Sequence, residues 1–180
     1  MPVDVSGKFV SYRCTVNGVK GSLVSITFSN DRGMGIVTNE NETYVFSNLS
    51  DVDYVLYRTS DMKISQEFKC GTEAFEVPEQ IKQLQNSLSG NFDAASSTLL
   101  TANIAVESDY ETFLRYGSEQ NAAIYLLSLM STVSAVYIKD ANVRLIVSYL
   151  RVWTTSADPY NGTTSFALLN EFRSYWNANM

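Results

Sequence analysis

The sequence predicts an α+β chain in two parts: an all-β segment, then an α/β segment in the order β-α-α-β-α. Three observations carry that prediction. Between residues 7 and 70, short apolar runs recur about every ten residues with Gly, Asn and Asp between them, the mark of antiparallel strands. Between Asn86 and Ser97 the composition turns to Ser, Asn, Ala and Gly, which is linker composition. From Thr98 a strand, a helical pair and a second strand follow one another, the unit that builds a parallel pair. The division is drawn accordingly, with a β-rich domain and linker over 1–90 and a second domain over 97–180.

In chain order, Lys8–Val16 alternates Phe9, Tyr12 and Val16 with polar residues, and Asn17-Gly18 then signals a turn. Strands follow at Ser22–Phe28, Gly35–Thr38, Thr43–Phe46 and Tyr54–Tyr57, and a meander of this spacing is expected to close into a small sandwich or barrel. Pro78 and Glu79 suit the first turn of a short helix over Val77–Leu88. Leu99–Val106 reads as a strand, and Asp109 as the N-cap of a helix over Tyr110–Tyr116. Over Glu119–Ile138, residues Ala123, Leu126, Leu127, Met130, Val133 and Tyr137 recur at helical spacing, and the wide apolar arc predicts a largely buried helix. Asp140-Ala141-Asn142 breaks it. Val143–Trp153 is apolar on both faces, as an interior parallel strand is. Thr164 or Ser165 then caps a helix bearing Phe166, Leu169, Phe172 and Trp176 on one face.

Composition narrows the function classes. A hydrophobic share of 45% and a charged share of 18% over 180 residues describe a chain able to bury a core. With 13 Lys+Arg against 19 Asp+Glu and no basic cluster, the chain lacks an electrostatic footprint for nucleic acid or an anionic membrane. No apolar run of spanning length is evident, and the N-terminus lacks the apolar stretch of a secretory signal. There is no histidine, which removes HExxH zinc sites, Ser-His-Asp triads and Cys-His dyads together. No catalytic centre is assembled from what remains. Glu107, Asp109 and Glu111 form an acidic cluster at a strand–helix junction, read as a cap and a favourable first-turn charge rather than as an acid/base pair. Tyr137, Tyr149 and Trp153 read as core packing.

The second segment resembles the start of a reprolysin-like zinc metallopeptidase catalytic domain, a metzincin. The likeness is carried by AVESDYETFLRYGS, by VSAVYIKDANVRLIV and by LRVWTTSADPY followed by LLNEFRSYW, about 80 residues in all. In that family an acidic–aromatic pair opens a helix, a long helix ends near a tyrosine-containing segment, and a strand ends in Trp-Thr or Trp-Ser before an Asp; here these are Asp109-Tyr110, Tyr137, Trp153-Thr154 and Asp158. The run NGVKGSLVSITFSNDRGMGIVTNENETYVF is similar to the β-rich propeptide that precedes such domains. The resemblance implies a propeptide-like domain followed by an incomplete three-layer α/β half-domain, from a secreted or extracellular endopeptidase acting on peptide or protein substrates. It implies zinc in the full-length parent, held by the motif HExxHxxGxxH that belongs downstream of LLNEFRSYW. That motif is not reached by Met180, so the chain is expected to be an inactive fragment. The alternative is a non-catalytic extracellular binding or inhibitory module.

The resemblance also bears on single residues. Cys70, in Phe68-Lys69-Cys70-Gly71, is similar to a propeptide thiolate that occupies the zinc of a latent protease. A disulfide with Cys14 and an inert thiol are the competing readings. Asn103 and Asp158 fall near positions where some relatives bind calcium. One amide and one carboxylate are too few for that ion, so no calcium site is expected, and Asp158 reads as a turn residue before Pro159.

Overall fold

A computed structural model describes residues 9–29, 32–50, 52–63, 79, 82–83 and 98–179. The short helix expected over Val77–Leu88 lies largely outside these; residues 79, 82 and 83 are helical, with Lys82 Nζ 3.4 Å from Glu79. The chain is α+β, with a five-stranded antiparallel sheet followed by a two-stranded parallel sheet and helices.

The first sheet is a meander of β1 (Phe9–Cys14), β2 (Leu23–Ser29), β3 (Arg32–Thr38), β4 (Thr43–Asn48) and β5 (Tyr54–Arg58), in the spatial order of the chain. Its turns carry their own hydrogen bonds. Asn39 Oδ1 accepts from the N–H groups of Asn41 and Glu42, and Ser22 Oγ accepts from Val16 N at 2.8 Å. The expected closure into a sandwich or barrel does not occur: β1 and β5 stay at opposite edges, and a helix covers one face instead.

Which face it covers is unexpected. Along β2, Ser25, Thr27 and Ser29 are buried with Leu23, while Phe28 on the other face is 40% exposed. On that outer face a row of rings crosses the sheet: Tyr12, Phe28, Phe46 and Tyr54 follow at centroid distances of 6.4, 5.8 and 5.2 Å. The row bridges β3 because β3 carries glycine there. A Cβ on Gly33 would lie 2.7 Å from Phe46 Cε1 and 3.0 Å from Tyr54 Cε1. Gly35 is tighter still, its missing Cβ falling 2.1 Å from the Ser25 carbonyl oxygen.

After the short 3-10 turn Thr59–Asp61, the next described elements are β6 (Leu100–Ser108), α1 (Tyr110–Tyr116), α2 (Glu119–Ala141) and β7 (Val143–Val152). Asp109 caps α1 as expected, accepting from Thr112 N at 2.9 Å and from its hydroxyl at 2.6 Å. Ser118 caps α2 through Asn121 N. Asn142 ends α2 in the left-handed conformation, φ 54°, which Asn tolerates better than most residues. Its amide donates to Thr98 O and its carbonyl accepts from Leu100 N, so the helix end is tied to the start of β6.

β6 and β7 pair in parallel from Leu100↔Val143 to Ser108↔Val152. The register slips between Ile104 and Ala105, where Ser148 is the extra residue and its hydroxyl bonds Ile104 O. The expectation that β7 is buried on both faces fails. Ile146 is 44% and Tyr149 39% exposed, because among the described residues β7 has one strand neighbour rather than two.

Contacts group residues 1–63 with 98–156 as one compact unit, and 64–97 with 157–180 as another. Within the first unit α2 packs against both β7 and the meander, so one helix serves two sheets. Ala122 and Ala123 are fully buried and join Leu126 and Val152 in a core flanked by Val106, Phe113 and Leu150. On the meander side the contact is hydroxylic, with Ser131 Oγ 3.0 Å from Ser11 Oγ, itself 2.7 Å from Thr27 Oγ1. Tyr137, expected in the core, is 49% exposed. By length and composition alone α2 could cross a membrane, its best 18-residue window having a mean hydropathy of 1.5, which corrects the reading that no such run exists. Here it is the central helix of the unit. In the second unit α3 (Ser165–Asn179) starts from Thr164, whose hydroxyl accepts from Ala167 N at 3.2 Å.

Candidate functional site

The carboxyl ends of parallel strands are where open α/β sheets place their chemistry. Here that end is formed by Glu107 and Ser108 of β6 and by Arg151 and Val152 of β7, with Trp153 next in the chain. Glu107 pairs with Arg151 in the register, and its carboxylate accepts a short hydrogen bond from the Trp153 indole N–H. The Arg151 guanidinium lies over the Trp153 ring, 3.6 Å from its centroid, a cation–π contact. Trp153 N donates to Ser108 O at 3.2 Å, continuing the ladder one residue past the strands. Carboxylate, indole and guanidinium thus hold one another, and the arrangement fixes the ring rather than presenting a free base. Trp153, half-buried, meets the expectation of a packing role; Tyr149 does not. The Ser108 hydroxyl is buried and has no hydrogen-bond partner among the described residues.

The acidic cluster dissolves on inspection. Asp109 is occupied as the α1 cap, Glu111 is an exposed residue of the first turn, and Glu107 serves Trp153. Asp158, 9% exposed, accepts from Tyr160 N at 3.1 Å, the bond of an Asx turn. Asn103 is exposed on β6 in the first compact unit, whereas Asp158 belongs to the second. Cys14 is an exposed free thiol at the end of β1. Cys70 lies outside the described residues.

The described residues do not fit zinc. The chain has no histidine, and among the described residues no three of His, Cys, Asp and Glu gather closely enough to hold a metal ion. The Glu107–Trp153–Arg151 clamp was not anticipated as a unit. Its signal was available: Glu107 ends one strand, Arg151 and Trp153 end the other, and parallel pairing brings such ends together. No family model, curated protein or solved structure matches the chain.

Proposed function

We propose that the chain is a fragment of a secreted, reprolysin-like zinc metalloendopeptidase. In this reading the meander is propeptide-like, and residues 98–179 are the N-terminal half of the catalytic domain. The observation that carries it is the bare parallel pair. Parallel sheets are normally covered on both faces and built from several strands, whereas here a two-stranded sheet is packed against α2. β6 and β7 pair only with each other among the described residues and leave Leu100 59% and Ile146 44% exposed. Such a pair calls for further strands. The order β6, Asp-capped α1, long α2, parallel β7, Trp153-Thr154 and α3 agrees with the family's order. The part proposed here is structural: it frames a cleft whose zinc ligands and general base belong to other residues of the parent, which would hydrolyse peptide or protein substrates.

The test is to read the coding sequence past Met180. HExxHxxGxxH within about a hundred residues, followed by chelator-sensitive cleavage of a denatured protein by the longer product, supports the proposal. The 180-residue chain alone is expected to cleave nothing, and zinc-dependent proteolysis by it would overturn the fragment reading. A stop codon directly after Met180 would select the second reading, a non-catalytic extracellular binding or inhibitory module. That reading draws on the exposed outer face of the meander, where Val10, Tyr12, Phe28, Tyr54 and Leu56 are 40–59% exposed.

A further inference from the structure

Inside the first compact unit a cavity of about 500 Å³ lies between the hydroxyl face of the meander and the start of α2. Its charge runs against that of the chain. The sequence carries a formal net charge of -6, yet the described lining includes Arg32 and Arg115 and no carboxylate. Neither Arg32 nor Arg115 lies within ion-pair distance of an acid among the described residues. Arg32 is nonetheless positioned, its guanidinium carbon 5.6 Å from the centre of the Tyr116 ring. Ser29 lines the same cavity and is 8% exposed. The cavity amides are engaged: Asn48 Oδ1 accepts from Gly33 N and Asn121 Nδ2 donates to Tyr116 O. Tyr116 stacks on Tyr125 at 4.5 Å, and burial pushes its phenol up to about 12, so it remains a neutral, flat wall.

We propose that this cavity binds a small organic oxyanion, a carboxylate or phosphate held between the Arg32 and Arg115 forks, with Ser29 as hydroxyl donor and Tyr116 against its body. Guanidinium forks match both oxyanions in geometry, and a mostly formed concave site with a few convergent donors is the usual form of a small-molecule site. The inference stands apart from the peptidase reading, since it needs neither zinc nor residues beyond those described.

Binding of benzoate, phenyl phosphate and uncharged benzamide to the full 180-residue chain, followed by NMR shift titration, tests it. We expect one or both anions to bind and benzamide not to, the stronger anion identifying the ligand class. R32Q/R115Q should weaken that binding at least about tenfold and Ser29→Ala by less, with R58Q, outside the cavity, unchanged. R32K/R115K, which keeps charge but loses the fork, should recover part of the loss, and circular dichroism reports whether each variant is folded. No saturable shift from either anion at about 10 mM, equal binding of benzamide, or full binding by folded R32Q/R115Q would overturn the proposal.

Discussion

Replacing Gly35 with alanine should be among the most damaging single-methyl changes this chain can suffer. The added Cβ would sit 2.1 Å from Ser25 O, 2.7 Å from Ile26 Cα and 3.0 Å from Ile26 Cγ1. Favourable carbon contacts lie near 3.5 Å or beyond, so β2 must retreat from β3 by about 1 Å. Two of the three clashing atoms are backbone, which cannot swing aside. Overpacking costs about 2 kcal/mol, two weakened ladder hydrogen bonds about 1 kcal/mol each, and the stiffer unfolded chain returns about 0.7 kcal/mol. The net loss is about 3 kcal/mol. With a urea slope of about 2 kcal/mol per molar, the unfolding midpoint followed by far-UV circular dichroism should fall by about 1.5 M. Gly33→Ala is the control, because its added methyl meets only the ring edges of Phe46, Tyr54 and Phe28, which can tilt. It should cost about half as much. A Gly35→Ala midpoint within 0.5 M of the parent (about 1 kcal/mol), or a larger loss for Gly33→Ala, would refute the reasoning.

Three further outcomes follow from individual contacts. Ser134 Oγ accepts from Leu145 N at 3.0 Å and reaches Leu145 O at 3.3 Å, so Ser134→Ala should strip a β7 amide of its partner and cost about 1–3 kcal/mol in urea unfolding. The Tyr116 phenol is held above its ordinary value by burial first, so its contribution is complete below about pH 10 and is lost as pH rises through about 12. The difference in phenolate absorbance between parent and Tyr116→Phe should therefore develop near pH 12, and a difference centred near 10 would show an exposed ring. Cys14 is exposed and free, so the native chain should react with a thiol reagent at this position and lose that reaction in Cys14→Ser; silence in the parent would indicate a disulfide.

Much of the architecture was legible before the structure. Short apolar runs marked every strand of the meander and Asn17-Gly18 its first turn, Asp109 marked the α1 start, and Asn142 the α2 end, because these signals are local. The face choice was not legible. Val24, Ile26 and Phe28 are more apolar than Ser25, Thr27 and Ser29, and binary patterning would turn them inward. The opposite arrangement prevails because the deciding partners are distant in sequence. Gly33 and Gly35 open a trough on the outer face that the rings of Phe28, Phe46 and Tyr54 occupy, and the small hydroxyl residues on the other face leave room for α2. The same limit hid the dual role of α2: a wide apolar arc announces burial but does not say that one layer is formed by strands β1–β3, more than eighty residues upstream. It also misplaced Tyr137 and Tyr149, whose periodicity suits a core that the two-stranded sheet does not supply. At the strand ends, the acidic residues stood out in the sequence as chemistry. In three dimensions each is committed to a cap, a helix turn or an indole.

Hydrocarbon surfaces attract without direction, and two greasy layers can slide over one another at little cost. The chain Ser131–Ser11–Thr27 behaves otherwise, since each link tolerates only a narrow range of length and angle. It acts as a locating pin that sets where along the meander the long helix comes to rest, and with it the position of everything the helix carries towards the second sheet.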